Sequence, residues 1–205
     1  IVGVLFVGCF VLDGFDFGVG MSLPFLGKDE VSRRQVINTI GPVWDLNETW
    51  VIVAGACLFA AFPEWYATLF SGFYLPLLLI LLALIVRGVS FEFWGKDDRP
   101  GWRTGWEWAM VISSGLAALL FGVAWANIVK GVPINAQQEF TGTLFTLLNP
   151  YGLLGGVTTL LLFLSHGAIF LTMRTEGAIN ERAQGVARFA SPAAAVAGIA
   201  FLVWT

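Results

Sequence analysis

Two pairs of carboxylates interrupt apolar stretches of this chain: Asp13 with Asp16 in VLDGFDFGVGM, and Asp45 with Glu48 in VWDLNETWVIV. An ionisable group at membrane depth costs about 3 kcal/mol on insertion scales, and such groups usually face a bundle interior or a water-filled path. Acids held there suit the handling of cations or protons. The i, i+3 spacing puts both members of each pair on one helical face. Asp45 has a further reading as a helix N-cap, with Glu48 completing a capping-box-like start. No cap is available to Asp13 and Asp16 in mid-span, where the bland alternative is a polar contact to a neighbouring subunit.

The elements that hold these acids follow from composition. The chain is 57% hydrophobic and only 12% charged, with a mean hydropathy of +0.79, whereas a soluble domain carries about 25% charged residues. Runs long enough to cross a hydrocarbon core of about 30 Å as helices recur. Six are read, over 1–25, 43–62, 66–86, 109–129, 150–173 and 189–205. They are too long and too rich in Leu, Ala and Gly for barrel strands. The expected fold is therefore all-α, a single polytopic transmembrane helix bundle. The chain opens inside an apolar run without a Met and closes within another, which reads as a fragment of a longer protein.

Basic residues orient the bundle. Ten of the eleven Lys and Arg fall in the first, third and fifth loops, and only Lys130 falls in the fourth. Since Lys and Arg collect on the cytoplasmic side, the odd loops are expected inside and the start of the chain outside. Asp16 then lies about ten residues, or roughly 15 Å, from the inner end of the first helix. Asp45 and Glu48 open the second span from the inside, so the four acids are expected to converge in the cytoplasmic half. Gly14 and Gly18 form a small-xxx-small pair that admits a close helix neighbour beside the acids. Gly155 and Gly156 carry a weaker form of the same signal.

Other chemistry is sparse. The one histidine, His166, supplies neither a bis-His haem nor a multi-His metal site, and reads as a neutral, hydrogen-bonded interhelical residue. Cys9 and Cys57 read as small buried side chains. No phosphate-binding loop, nucleophile elbow or long basic tract for nucleic acid is present. The Trp-rich third loop reads as an interfacial anchor, with Glu92 and Glu107 solvated at its edges.

The ordered segments DGFDFGVGMSLPFLG, RRQVINTIGPVWDLNETWVIVAGACLFAAFPEWYATLFSGFY, RGVSFEFW, WRTGWEWA, LLNPYGLLGGV and TMRTEG closely resemble subunit II of the cytochrome bd-type quinol oxidases, from about Leu12 to Glu176. The resemblance implies a bacterial cytoplasmic-membrane complex that oxidises a quinol and reduces dioxygen to water. It implies a heterodimer with subunit I, which holds the b-type and d-type haems, while this chain ligates none. A small accessory subunit and membrane lipid are further implied companions. Acids thought to line a proton route in the family match Asp13 and Asp45, with Trp44 beside the latter. Asp16 matches a further motif acid, and Glu48 completes the candidate set. The expected relay runs from Asp45 at the cytoplasmic side to Asp13 deeper in the membrane, through water. A purely structural partner of the haem subunit is the rival reading. A proton-coupled transporter is another, since it too places acids beside glycine-interrupted helices.

Overall fold

The computed structural model describes residues 1–205. Nine helices succeed one another: α1 (Val2–Leu26), α2 (Glu30–Ile40), α3 (Trp44–Ala61), α4 (Pro63–Gly72), α5 (Tyr74–Trp94), α6 (Pro100–Lys130), α7 (Leu144–Leu147), α8 (Pro150–Arg174) and α9 (Gly177–Trp204). No strand forms beyond one isolated bridge between Ile134 and Phe140. Five helices are long and apolar enough to cross a membrane, and α2 with α3, bent by 41° at their junction, make up to a sixth. The all-α polytopic bundle is therefore what the chain forms.

Proline sets several of the starts. Pro63, Pro100 and Pro150 open α4, α6 and α8 at their first turns, where the missing N–H has no intrahelical partner to lose and the fixed φ suits the helix. The third expected span, 66–86, is divided by the same logic. The helix through Tyr66 stops at Gly72, and α5 starts afresh at Tyr74 with Pro76 in its first turn. Its membrane helix therefore runs on to Trp94, past the expected end at 86. Both α6 and α9 begin well before the apolar windows at 109 and 189, carrying their charges on a polar first portion of the same helix.

α1 is the central helix, packed against α2, α3, α6, α8 and α9, while α5, α6, α8 and α9 adjoin one another in that order. Close approach of α1 to α8 is made through glycine. A Cβ on Gly18 would lie 1.9 Å from the Phe163 carbonyl oxygen and 2.7 Å from the Gly167 nitrogen. These are backbone atoms, which cannot step aside. Gly155 and Gly156 play the same part between α8 and α6.

The first, third and fifth loops meet at one end of the bundle. Arg33 reaches Glu107 at 3.2 Å, Arg103 pairs with Glu30 and Asp98, and Arg182 donates to the Leu26 carbonyl at 2.9 Å. Val19, Leu23, Val36, Ile40, Trp94 and Leu171 form an apolar core just inside this basic end. Glu107, expected to be solvated, is instead 9% exposed and accepts from the Trp94 indole at 3.1 Å. Asp29 caps α2, accepting from the Ser32 N–H at 2.9 Å. That backbone bond, with the Ser32 hydroxyl, holds the Asp29 carboxyl below its ordinary range.

Gly18→Leu is expected to destabilise the bundle by about 1–3 kcal/mol through overpacking, whereas Gly55→Ala, with nothing within 4 Å of its added Cβ, is expected to be neutral. Thermal unfolding in detergent compares them. The Asp29 cap contributes above the ordinary aspartate range and is lost as pH falls through the lowered native value. Amide exchange in the first turn of α2 should therefore accelerate at acid pH, and Asp29→Ala should abolish that dependence.

Candidate functional site

Three of the four acids come together around a cation that the hydropathy pattern assigned to a loop. Asp13 and Asp16 lie on one face of α1, 2% and 0% exposed. Glu48 comes from α3 and pairs with Arg87 of α5, whose side chain is fully buried. The Arg87 guanidinium stands 4.8 Å from the centre of the Phe17 ring and 5.3 Å from that of Phe91. Stacking on the two ring faces suits the weakly hydrated, planar guanidinium. Phe17, under the guanidinium, follows Asp16 directly on α1, so the acid-bearing stretch of that helix lies beside the Glu48–Arg87 pair.

Each carboxylate of α1 is half satisfied. Asp13 Oδ2 accepts from the Cys9 thiol at 3.1 Å, and Asp16 Oδ2 accepts from the Asn47 amide at 2.7 Å. Asp13 Oδ1, Asp16 Oδ1 and the Arg87 Nε and Nη2 have no partner within the chain. Buried polar atoms are almost always paired with protein or with ordered water, so this group of free donors and acceptors is a place for water or another polar partner. Ser114 Oγ on α6 is also unpartnered.

Asp45 stands apart. It is exposed and borders a groove of about 1250 Å³ between α3 and α5, lined mostly by apolar residues such as Val51, Leu77 and Leu81. Glu48 borders the same groove, as the i, i+3 spacing required, yet its carboxylate turns to Arg87. The capping alternative for Asp45 does not form: the cap residue is Val43, and no side chain bonds to the free N–H groups. Asp45 lies instead in the first turn, where a negative charge suits the helix dipole. Trp44 stacks on Phe91, centroids 5.1 Å apart, and lies against Gly88, so it braces the start of α3 on α5. The expected convergence of four acids is thus a convergence of Asp13, Asp16 and Glu48.

Arg87 and Asn47 were missed by the sequence reading. The signal for Arg87 was available, since it is the first charge after a long apolar run and Lys96 is the next cation. The expected span stops at 86, one residue short of Arg87, whereas α5 continues to Trp94. Asn47 carried no such signal. His166 is half-buried and interhelical, but it meets Phe15 edge-on at 5.8 Å in place of the expected hydrogen bond.

Removing one member of a buried ion pair costs about 3–5 kcal/mol, because the survivor is left uncompensated. Arg87→Met is therefore expected to destabilise strongly, and Glu48→Gln added to it should restore part of the loss. A double-mutant cycle of melting temperatures would measure the coupling, and additive single effects would show that the pair carries none.

Known proteins bear directly on this arrangement. A family model described as cytochrome bd terminal oxidase subunit II matches residues 1–205. Cytochrome bd ubiquinol oxidase subunit 2 of Bacillus subtilis (strain 168) is 46% identical over 201 residues, which is 98% of this chain and 60% of the relative. Cytochrome bd-I ubiquinol oxidase subunit 2 of Escherichia coli (strain K12) is 44% identical over 195 residues, 93% of this chain and 52% of the relative. The chain thus spans about half to three-fifths of the length of these curated relatives. Among solved structures, a chain of the bd oxidase from Geobacillus thermodenitrificans matches with a TM-score of 0.75 at 18% identity, over 92% of this chain and 58% of that one, a likeness of fold. With a family model covering every residue and close relatives agreeing, this chain belongs to the cytochrome bd terminal oxidase subunit II family.

Proposed function

We propose that this chain serves as the second subunit of a quinol-oxidising, dioxygen-reducing complex of a bacterial cytoplasmic membrane, and that its buried acids carry protons for that reaction. The observation that carries the reading is the enclosed group of Asp13, Asp16 and Glu48 around Arg87. One guanidinium balances one carboxylate. In an apolar interior an uncompensated charge is costly, so the remaining carboxyls gain from holding protons. Asp13 Oδ1 and Asp16 Oδ1, unpartnered within the chain, are the atoms at which a proton is taken up and released. Asp45, at the exposed edge one turn before Glu48, stands where the group meets its surroundings. The basic end of the bundle is the cytoplasmic one on this reading, by the positive-inside rule.

The haem groups implied by the family do not fit this chain as a pair of imidazole-ligated centres, since His166 is its only histidine and packs against Phe15. We place them in subunit I. The contribution of this chain is then to dock beside that subunit and hold protons at fixed atoms; an accessory subunit and lipid complete the complex.

Asp13→Asn and Asp16→Asn in the full two-subunit complex are expected to lower quinol-driven oxygen consumption, by roughly 10²-fold if the acids act as general acid–base groups. The haem content and visible spectrum should be unchanged. Undiminished turnover would leave this chain a purely structural partner, and parallel loss of haem would assign the acids to assembly. A preparation without haem would point to a transporter.

A further inference from the structure

The two acids of α1 are anchored by different means. The Asn47 amide that donates to Asp16 comes from α3, so that contact depends on how two helices dock. The thiol that donates to Asp13 at 3.1 Å belongs to Cys9, one turn earlier on α1 itself. Residues four apart on a helix share a face, and the reach from Cys9 to Asp13 is therefore set by the helix alone. Both residues are buried, Cys9 at 1% exposed and Asp13 at 2%.

Other short polar side chains in these helices point elsewhere. The hydroxyls of Ser22, Ser90 and Thr158 donate to the carbonyls four residues back, those of Gly18, Val86 and Leu154, at 2.7, 2.6 and 2.8 Å. Such back-bonding is the common arrangement of a hydroxyl inside a helix. Cys9 has the same option in the Leu5 carbonyl, yet its thiol turns forward to the carboxylate. An S–H group is a weak donor, and an ionised carboxylate is the strongest kind of acceptor it can meet. The terminal torsion of an aspartate is broad and roughly two-fold, so a carboxyl held by nothing exchanges its two oxygens freely. Here Oδ2 is held and Oδ1 has no partner in the chain.

We infer that Cys9 is a positioning residue for proton carriage: its S–H holds Asp13 Oδ2 and leaves Oδ1 as the oxygen presented for exchange. This rests on the proton-carrying reading above. It gives Cys9 a role beyond that of a small buried side chain.

The test uses the full two-subunit complex with Cys9→Ala and Cys9→Val. Neither side chain can donate, and Val fills the space that Ala leaves. Quinol-driven oxygen consumption is expected to fall about fivefold in both, the factor that a typical net hydrogen bond carries, with haem content unchanged. Full turnover in both would overturn the inference, and so would a rate restored by Val, which would mean that Cys9 only fills volume. Infrared spectroscopy supplies a readout independent of turnover. The Cys9 S–H stretch, isolated as the difference from Cys9→Ala, is expected to move to higher frequency when Asp13→Ala removes its acceptor, and by less in Asp13→Asn. An unmoved band would show that the bond is absent. Asp13→Asn also separates the two readings by rate: full turnover there sinks proton carriage itself, while a slow Asp13→Asn beside unimpaired Cys9→Ala and Cys9→Val sinks only the positioning role.

Discussion

A fully buried guanidinium fixes the organisation of this bundle. Arg87 lies in the second half of an apolar helix, where an isolated cation would be costly, and the chain meets it with Glu48 from one helix and two aromatic faces from α1 and α5. This requirement ties α3 to α5 across a groove that the two helices do not otherwise close. It also places Asp13 and Asp16 in the field of the same charge. The acids of α1 are thereby held in an interior where neither full ionisation nor full neutrality is without cost, and the proposed proton carriage draws on that balance.

Glycine makes one side of that interior tight. The contact of Gly18 with Gly167 brings α1 against α8 so closely that their backbones touch. Gly14 seats Phe163 and approaches His166 on the same helix. One wall of the acid site is therefore closely packed backbone. The ion pairs of the basic end act differently. Arg33, Glu107, Arg103 and Glu30 join the first and third loops, and Arg182 ties the fifth to the end of α1, which fixes how α2 sits over that end.

Much of the fold was legible because hydropathy reports on a segment as a whole. The apolar runs marked the membrane helices, the skew of Lys and Arg foretold that three loops share one end, and the glycine spacing of α1 named its close neighbour's contact. Failures occurred where a window averages over a break. The run at 66–86 crosses Gly72, Phe73 and Pro76, and the chain restarts its helix there because proline fits a first turn and not an interior. Ending that window early put Arg87 outside the membrane and hid the partner of Glu48.

By itself, the sequence determined the all-α membrane class, the family through its ordered motifs, and the pairing of acids along each helix, since periodicity and composition are properties of the chain alone. Tertiary structure decided which acids share a site. Asp45 and Glu48 border one groove, yet only Glu48 finds Arg87, while Asn47, between them in sequence, turns the other way to Asp16. Which face of a helix meets which neighbour depends on rotation and docking angle, and these follow from the contacts of every other helix rather than from local spacing.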